Sequence, residues 1–155
     1  MNIPSKEEAL EILNNNNTPS NVIEHSKAVC EVAEELVEKI TKKGIEVNKD
    51  LVVAAALLHD VERHKDDHIT RGENLLKKLG FPEVAEVIKK HSLHQIEKVQ
   101  PKTVEEKIVF YADKKVKGSE VVSLEKRFED LKKRYNVHFK DEIEFCKKIE
   151  KELLE

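Results

Sequence analysis

Leu51-Val52-Val53-Ala54-Ala55-Ala56-Leu57-Leu58-His59-Asp60 carries eight apolar residues without a break and ends in two side chains that bind metals and move protons. A helix that is apolar on every side is a buried helix, so this stretch is expected at the centre of the core. Burying an imidazole and a carboxylate at its end is unfavourable unless something pairs with them. A divalent cation satisfies both at once, because neutral imidazole and carboxylate are ordinary metal ligands.

Working outward, Asn48 is the expected cap of this helix, which should run to about Glu62 or Arg63. Upstream, Ser5 with Glu8 forms a capping-box pattern, and Asn14 to Asn17 reads as a turn. Thr18 and Pro19 suggest a cap and a first helical position. Val22, Ile23, His25, Val29, Val32, Ala33, Leu36, Val37 and Ile40 then recur at helical spacing, and Gly44 ends the run. His25 lies on that apolar stripe. Downstream, the polar stretch from His64 to His68 precedes a helix through Ile69, Leu75, Leu76 and Leu79, stopped by Gly80. Pro82 opens another with Val84, Val87, Ile88 and His91 inward and His94 one turn on. Thr103 with Glu106 is a second capping box, heading a helix that reaches Asp113. From Ser119 onward two highly charged amphipathic helices follow.

No repeat occurs, and no alternating strand pattern exceeds four residues. The expected fold is all-α, a single compact bundle of about seven to eight helices. Residues 1–118 form the expected core, and residues 119–155 pack on the same domain. The chain has 155 residues, enough for a real core. Charged residues make up 38%, yet the net charge is only -3, which argues against a general nucleic-acid surface or an anionic-membrane binder. No apolar run is long enough to span a bilayer and no secretory leader opens the sequence, so a cytoplasmic protein is expected. Cys30 and Cys146 stand far apart in helical patterns and read as reduced thiols.

The inward-facing ligand-type residues are His25, His59, Asp60, His68, His91, His94 and Asp113. In a helical bundle such residues can converge from facing helices. Adjacent residues on a helix diverge by roughly 100°, so His59 and Asp60 cannot share a face but can flank one ion at the helix end. A site of this kind, nitrogen and oxygen without thiolate, suits iron, manganese, zinc, cobalt or nickel. Each residue also has an ordinary structural reading: His25 as a core histidine, His68 as a helix-start residue, His91 as a cation at a helix C-terminus. His64 and His138 read as surface residues.

The order His25, then His59-Asp60, then a distant Asp113 resembles the signature of the HD-domain superfamily of metal-dependent phosphohydrolases, in its HDIG-like branch. The segments VIEHSKAVCEVAEELV, AAALLHDVER and IVFYADKKV are similar to its successive motifs. The resemblance implies one ion held by His25, His59, Asp60 and Asp113. In members with two ions it implies His68 (in HITRGENLL) and His91 as further ligands, with Asp60 as bridge and catalytic carboxylate; His94 is an additional candidate for metal or substrate. The lysine common after the His-Asp pair is replaced here by Glu62-Arg63-His64-Lys65, and the paired histidines of some members are His91 and Ser92.

The implied cofactor is one or two divalent metal ions. The implied reaction is hydrolysis of a phosphomonoester or phosphodiester bond, in a nucleotide or another small phosphate ester, by metal-activated water. Arg63, Lys65, Arg71, Lys114 and Lys117 are candidates for phosphate contact by charge complementarity. The rival readings are a metal-stapled nucleotide-binding module without turnover and, less favoured, a di-iron oxygenase. The terminal helices leave room for a homodimer contact.

Overall fold

In the computed structural model, residues 1–91, 99–135 and 140–155 are described. Among them the chain forms α1 (Lys6–Asn15), α2 (Ser20–Lys42), α3 (Lys49–Leu58), α4 (His68–Lys78), α5 (Pro82–Ile88) and α6 (Val104–Lys114). A short hairpin, β1 (Val116–Lys117) with β2 (Glu120–Val121), leads into α7 (Leu124–Tyr135) and α8 (Lys140–Leu154). The all-α expectation holds, and the hairpin is shorter than any pattern that could have revealed it.

α3 sits where its composition requires. Leu51, Val52, Leu57, Leu58 and all three alanines are buried, and α1, α2, α5 and α6 pack around the helix. The small side chains of Ala54, Ala55 and Ala56 let several neighbours approach one short helix. Asn48 accepts a hydrogen bond from Leu51 N and caps it as expected. Both capping boxes form, at Ser5 with Glu8 and at Thr103 with Glu106. α8 packs on α6 and α2, burying Cys146, Ile149 and Leu153.

Two boundaries differ from the sequence reading. α3 ends at Leu58 rather than at Glu62 or Arg63. The backbone continues in tight turns, Val61 N donating to Leu58 O and Arg63 N to Asp60 O. The Val61 carbonyl accepts instead from Asn16 Nδ2 at 3.2 Å and from the Thr18 hydroxyl at 2.9 Å. These bonds tie the segment after Leu58 to the turn between α1 and α2. The same bond corrects the start of α2: Thr18 is not its cap, Pro19 holds that position, and Ser20 is the first helical residue.

Cys30 and Cys146 are buried and free. Burial pushes both thiols up to about 12, with the Glu34 carboxylate adding to the effect at Cys30. At pH 8 only about one thiol in 10⁴ would be ionised, and the thiolate is the nucleophile. Labelling by a disulfide reagent is expected to be slower by orders of magnitude in the native protein than in denaturant. Rapid native labelling of both would contradict this placement.

Candidate metal centre

Four elements deliver the site. His25 comes from the second turn of α2, His59 and Asp60 from the end of α3, His68 from the first residue of α4, and Asp113 from the last turn of α6. His91 lies three residues beyond α5 rather than within it, a correction to the helical placement. Its Nδ1 donates to Ile88 O at 2.5 Å, a carbonyl at the end of α5 that also accepts from the His91 backbone N at 3.3 Å. The end of α3 resolves the problem of adjacent residues: with the helix broken at Leu58, His59 Nε2 and Asp60 Oδ2 approach to 3.4 Å.

Three histidines are oriented by one device. His25 Nδ1 donates to Gly118 O at 2.7 Å, and His59 Nδ1 to Ala56 O at 2.7 Å. His91 Nδ1 donates to Ile88 O in the same way. Gly118 stands at φ +61 in the turn between β1 and β2, a conformation glycine adopts readily, and this turn brings its carbonyl to His25. A carbonyl only accepts, so each Nδ1 carries its proton and each Nε2 of a neutral ring is a lone pair.

Those lone pairs face carboxylates. His25 Nε2 is 3.1 Å from Asp113 Oδ1 and 3.7 Å from Asp60 Oδ2; His59 Nε2 is 3.2 Å from Asp113 Oδ1. His91 Nε2 is 3.3 Å from the other oxygen of Asp60, Oδ1. Acceptor thus faces acceptor unless a proton or a cation lies between. Asp60 Oδ1 is buried and has no hydrogen-bond partner among the described residues. An orphaned buried carboxylate oxygen of this kind suits a metal ion.

The electrostatics agree. Burial disfavours charge on His59, but the carboxylates of Asp60 and Asp113 outweigh it and raise the imidazole to about 10. Burial would raise Asp60, yet His59 and His91 hold it well below the usual carboxylate range. Burial would likewise raise Asp113, and Lys114, His59 and His25 hold it down. The cluster therefore favours positive charge at its centre even though it is buried.

Among the described residues, two groups of potential ligand atoms lie within 4.8 Å of one another: His25, His59, Asp60 and Asp113, and then Asp60, His68 and His91. Asp60 belongs to both. His68 is half-buried, and its Nε2 accepts from Arg63 Nη1 at 3.1 Å; burial and the neighbouring guanidinium lower its pKa. His64 is exposed. His94 and His138 lie outside the described residues.

A cleft of about 390 Å³ opens over the cluster, lined by Arg63 and Lys117 among others. The remaining basic candidates fare differently. Lys114 reaches the cleft floor but is buried, its Nζ 2.6 Å from Asp113 Oδ2 and donating to His91 O at 2.9 Å. Lys65 and Arg71 do not line the cleft: Lys65 pairs with Glu62 at 2.9 Å and Arg71 with Asp66 at 3.2 Å. Acids close in sequence hold both. α7 brings Arg127 and Arg134 to the cleft, which the sequence reading did not single out. Their signal was the stripe Arg127, Leu131, Arg134, Tyr135, one helical face.

Among the described residues no helix is long and apolar enough to cross a membrane. The chain is 37% identical over 144 residues to an uncharacterized protein of Methanocaldococcus jannaschii, a match covering 83% of this chain and 85% of that protein. It is 31% identical to a tRNA (cytidine(56)-2'-O)-methyltransferase of Picrophilus torridus, covering 97% of this chain but 47% of that protein. It is 32% identical over 111 residues to the dihydroneopterin 2',3'-cyclic phosphate phosphodiesterase of M. jannaschii, covering 59% of this chain and 44% of that protein. The chain thus spans less than half the length of these last two relatives. No solved structure matches. The HD domain matches residues 22–116, from the start of α2 into the hairpin, and over that length this chain belongs to the HD domain family.

Proposed function

We propose that this chain is a metal-dependent phosphohydrolase cleaving a phosphomonoester or phosphodiester bond of a nucleotide or other small phosphate ester. The observation that carries the reading is Asp60, whose two carboxylate oxygens face different histidines and whose Oδ1 is buried without a hydrogen bond. The proposed ligands are His25, His59, Asp60 and Asp113 for one ion, and Asp60, His68 and His91 for a second. A divalent ion bound there supplies Lewis acidity, activating water near neutral pH and offsetting charge on a phosphoryl oxygen. The backbone carbonyls at Gly118, Ala56 and Ile88 keep the three imidazoles aimed inward. Arg63, on the cleft lining, is the proposed phosphate contact on the rim among the basic residues singled out from sequence. The named activity of the phosphodiesterase relative supports a phosphodiester as the scissile linkage.

Elemental analysis of anaerobically purified protein, beside His68→Ala, tests the reading. Near two ions per chain, falling towards one in the variant, with turnover on a panel of phosphomonoesters and cyclic and linear phosphodiesters, is the expected result. One ion, unchanged in the variant, would remove His68 from the ligand set. No ion under metal-replete conditions would overturn the catalytic reading, and ions without turnover on the panel would leave a binding module.

A further inference from the structure

We propose that the cleft face of α7 is a phosphate-binding wall, in which Arg127 and Arg134 hold a phosphate group of the substrate and Leu131 with Tyr135 receive its organic part. α7 lies outside the matched HD domain, which ends at residue 116, so this wall is not part of the segment the family match covers. The inference rests on the phosphohydrolase reading for the identity of the anion as phosphate.

Three of the cleft's cations are already engaged. Lys114 is held by Asp113 at 2.6 Å, Lys117 by Asp130 at 2.8 Å, and Arg63 donates to His68. Among the described residues neither Arg127 nor Arg134 has a carboxylate partner. Arg127 Nε is moreover buried with no hydrogen-bond partner. A buried guanidinium donor left without an acceptor is unfavourable, and Arg127 lines the cleft. The fork of a guanidinium matches phosphate oxygens two at a time. Arg127, Leu131, Arg134 and Tyr135 follow at i, i+4, i+7 and i+8, so charge and apolar surface alternate along one helical face that lines the cleft. At about 390 Å³ the cleft is of small-molecule size.

The test is calorimetric titration of inorganic pyrophosphate into metal-free protein, where no ion contributes to anion binding. Arg127→Gln and Arg134→Gln are each expected to weaken pyrophosphate by about tenfold or more, as befits loss of a charge-assisted hydrogen bond. Arg71→Gln, away from the cleft, should leave affinity unchanged. Arg134 is exposed, so its variant decides the matter even if Arg127→Gln fails to fold. Wild-type affinity retained in the folded variants, or no pyrophosphate binding by the wild type, would overturn the inference. The two proposals separate cleanly: arginine-dependent binding in a chain that takes up no metal would keep the wall and sink the hydrolase, whereas turnover with unchanged kcat/KM in both variants would do the reverse.

Discussion

Asp60→Asn is expected to lower kcat/KM for phosphoester hydrolysis by at least about 10³-fold, a loss of roughly 4 kcal/mol of transition-state stabilisation, and to leave no more than one ion per chain. The reason is geometric. Asp60 Oδ2 faces His25 and His59 while Oδ1 faces His91, and an amide offers only one good ligand oxygen to that pair of positions. The substitution also removes a negative charge that helps raise His59 to about 10, so the variant attracts a cation less strongly. Metal content and kcat/KM measured on one preparation check the result. Two ions and activity within tenfold of wild type would show that Asp60 neither bridges nor takes part in the chemistry.

How much of this was legible depended on whether the cause of a feature was local. α3 was legible because burial on all sides leaves no place for a polar residue, so eight apolar residues in a row carry the message alone. The capping boxes at Ser5 and Thr103 were legible because both partners lie within three residues. The end of α3 was not. Beyond it the Val61 carbonyl is held by Asn16 and Thr18, more than forty residues away, and nothing in the sequence around Val61 records that pairing. The proximity of His25, His59, Asp60 and Asp113 was legible only through family resemblance, since periodicity puts each on an inward face without saying which faces meet.

The basic residues show the opposite limit. Charge complementarity nominated Lys65 and Arg71, but Glu62 and Asp66 lie nearer to them than any cleft does. Arg127 and Arg134 carried the same charge and went unnoticed, because a stripe of arginines on an amphipathic helix reads as a solvated face until the surface opposite is known. Gly118 is similar. Its carbonyl orients His25 across ninety-three positions of sequence, through a hairpin of two residues per strand that no pattern could reveal.

Lys114→Met is expected to destabilise the metal-free protein by about 3–5 kcal/mol, the range for breaking one partner of a buried ion pair. Lys114 Nζ lies 2.6 Å from Asp113 Oδ2, donates to the His91 carbonyl at 2.9 Å and sits 4.9 Å from the centre of the Phe110 ring. Removing it leaves two buried carboxylates facing imidazoles alone. A bound divalent ion would compensate Asp113 directly, so the same substitution should be less damaging in the metal-loaded protein. By linkage, the difference between the two losses must reappear as tighter metal binding in the variant, tenfold for each ~1.4 kcal/mol. Denaturant unfolding of both proteins, with and without metal, closes this cycle. Equal losses in the two states would mean that Lys114 acts through packing and the His91 carbonyl, and that its charge and the ion's do not meet at Asp113.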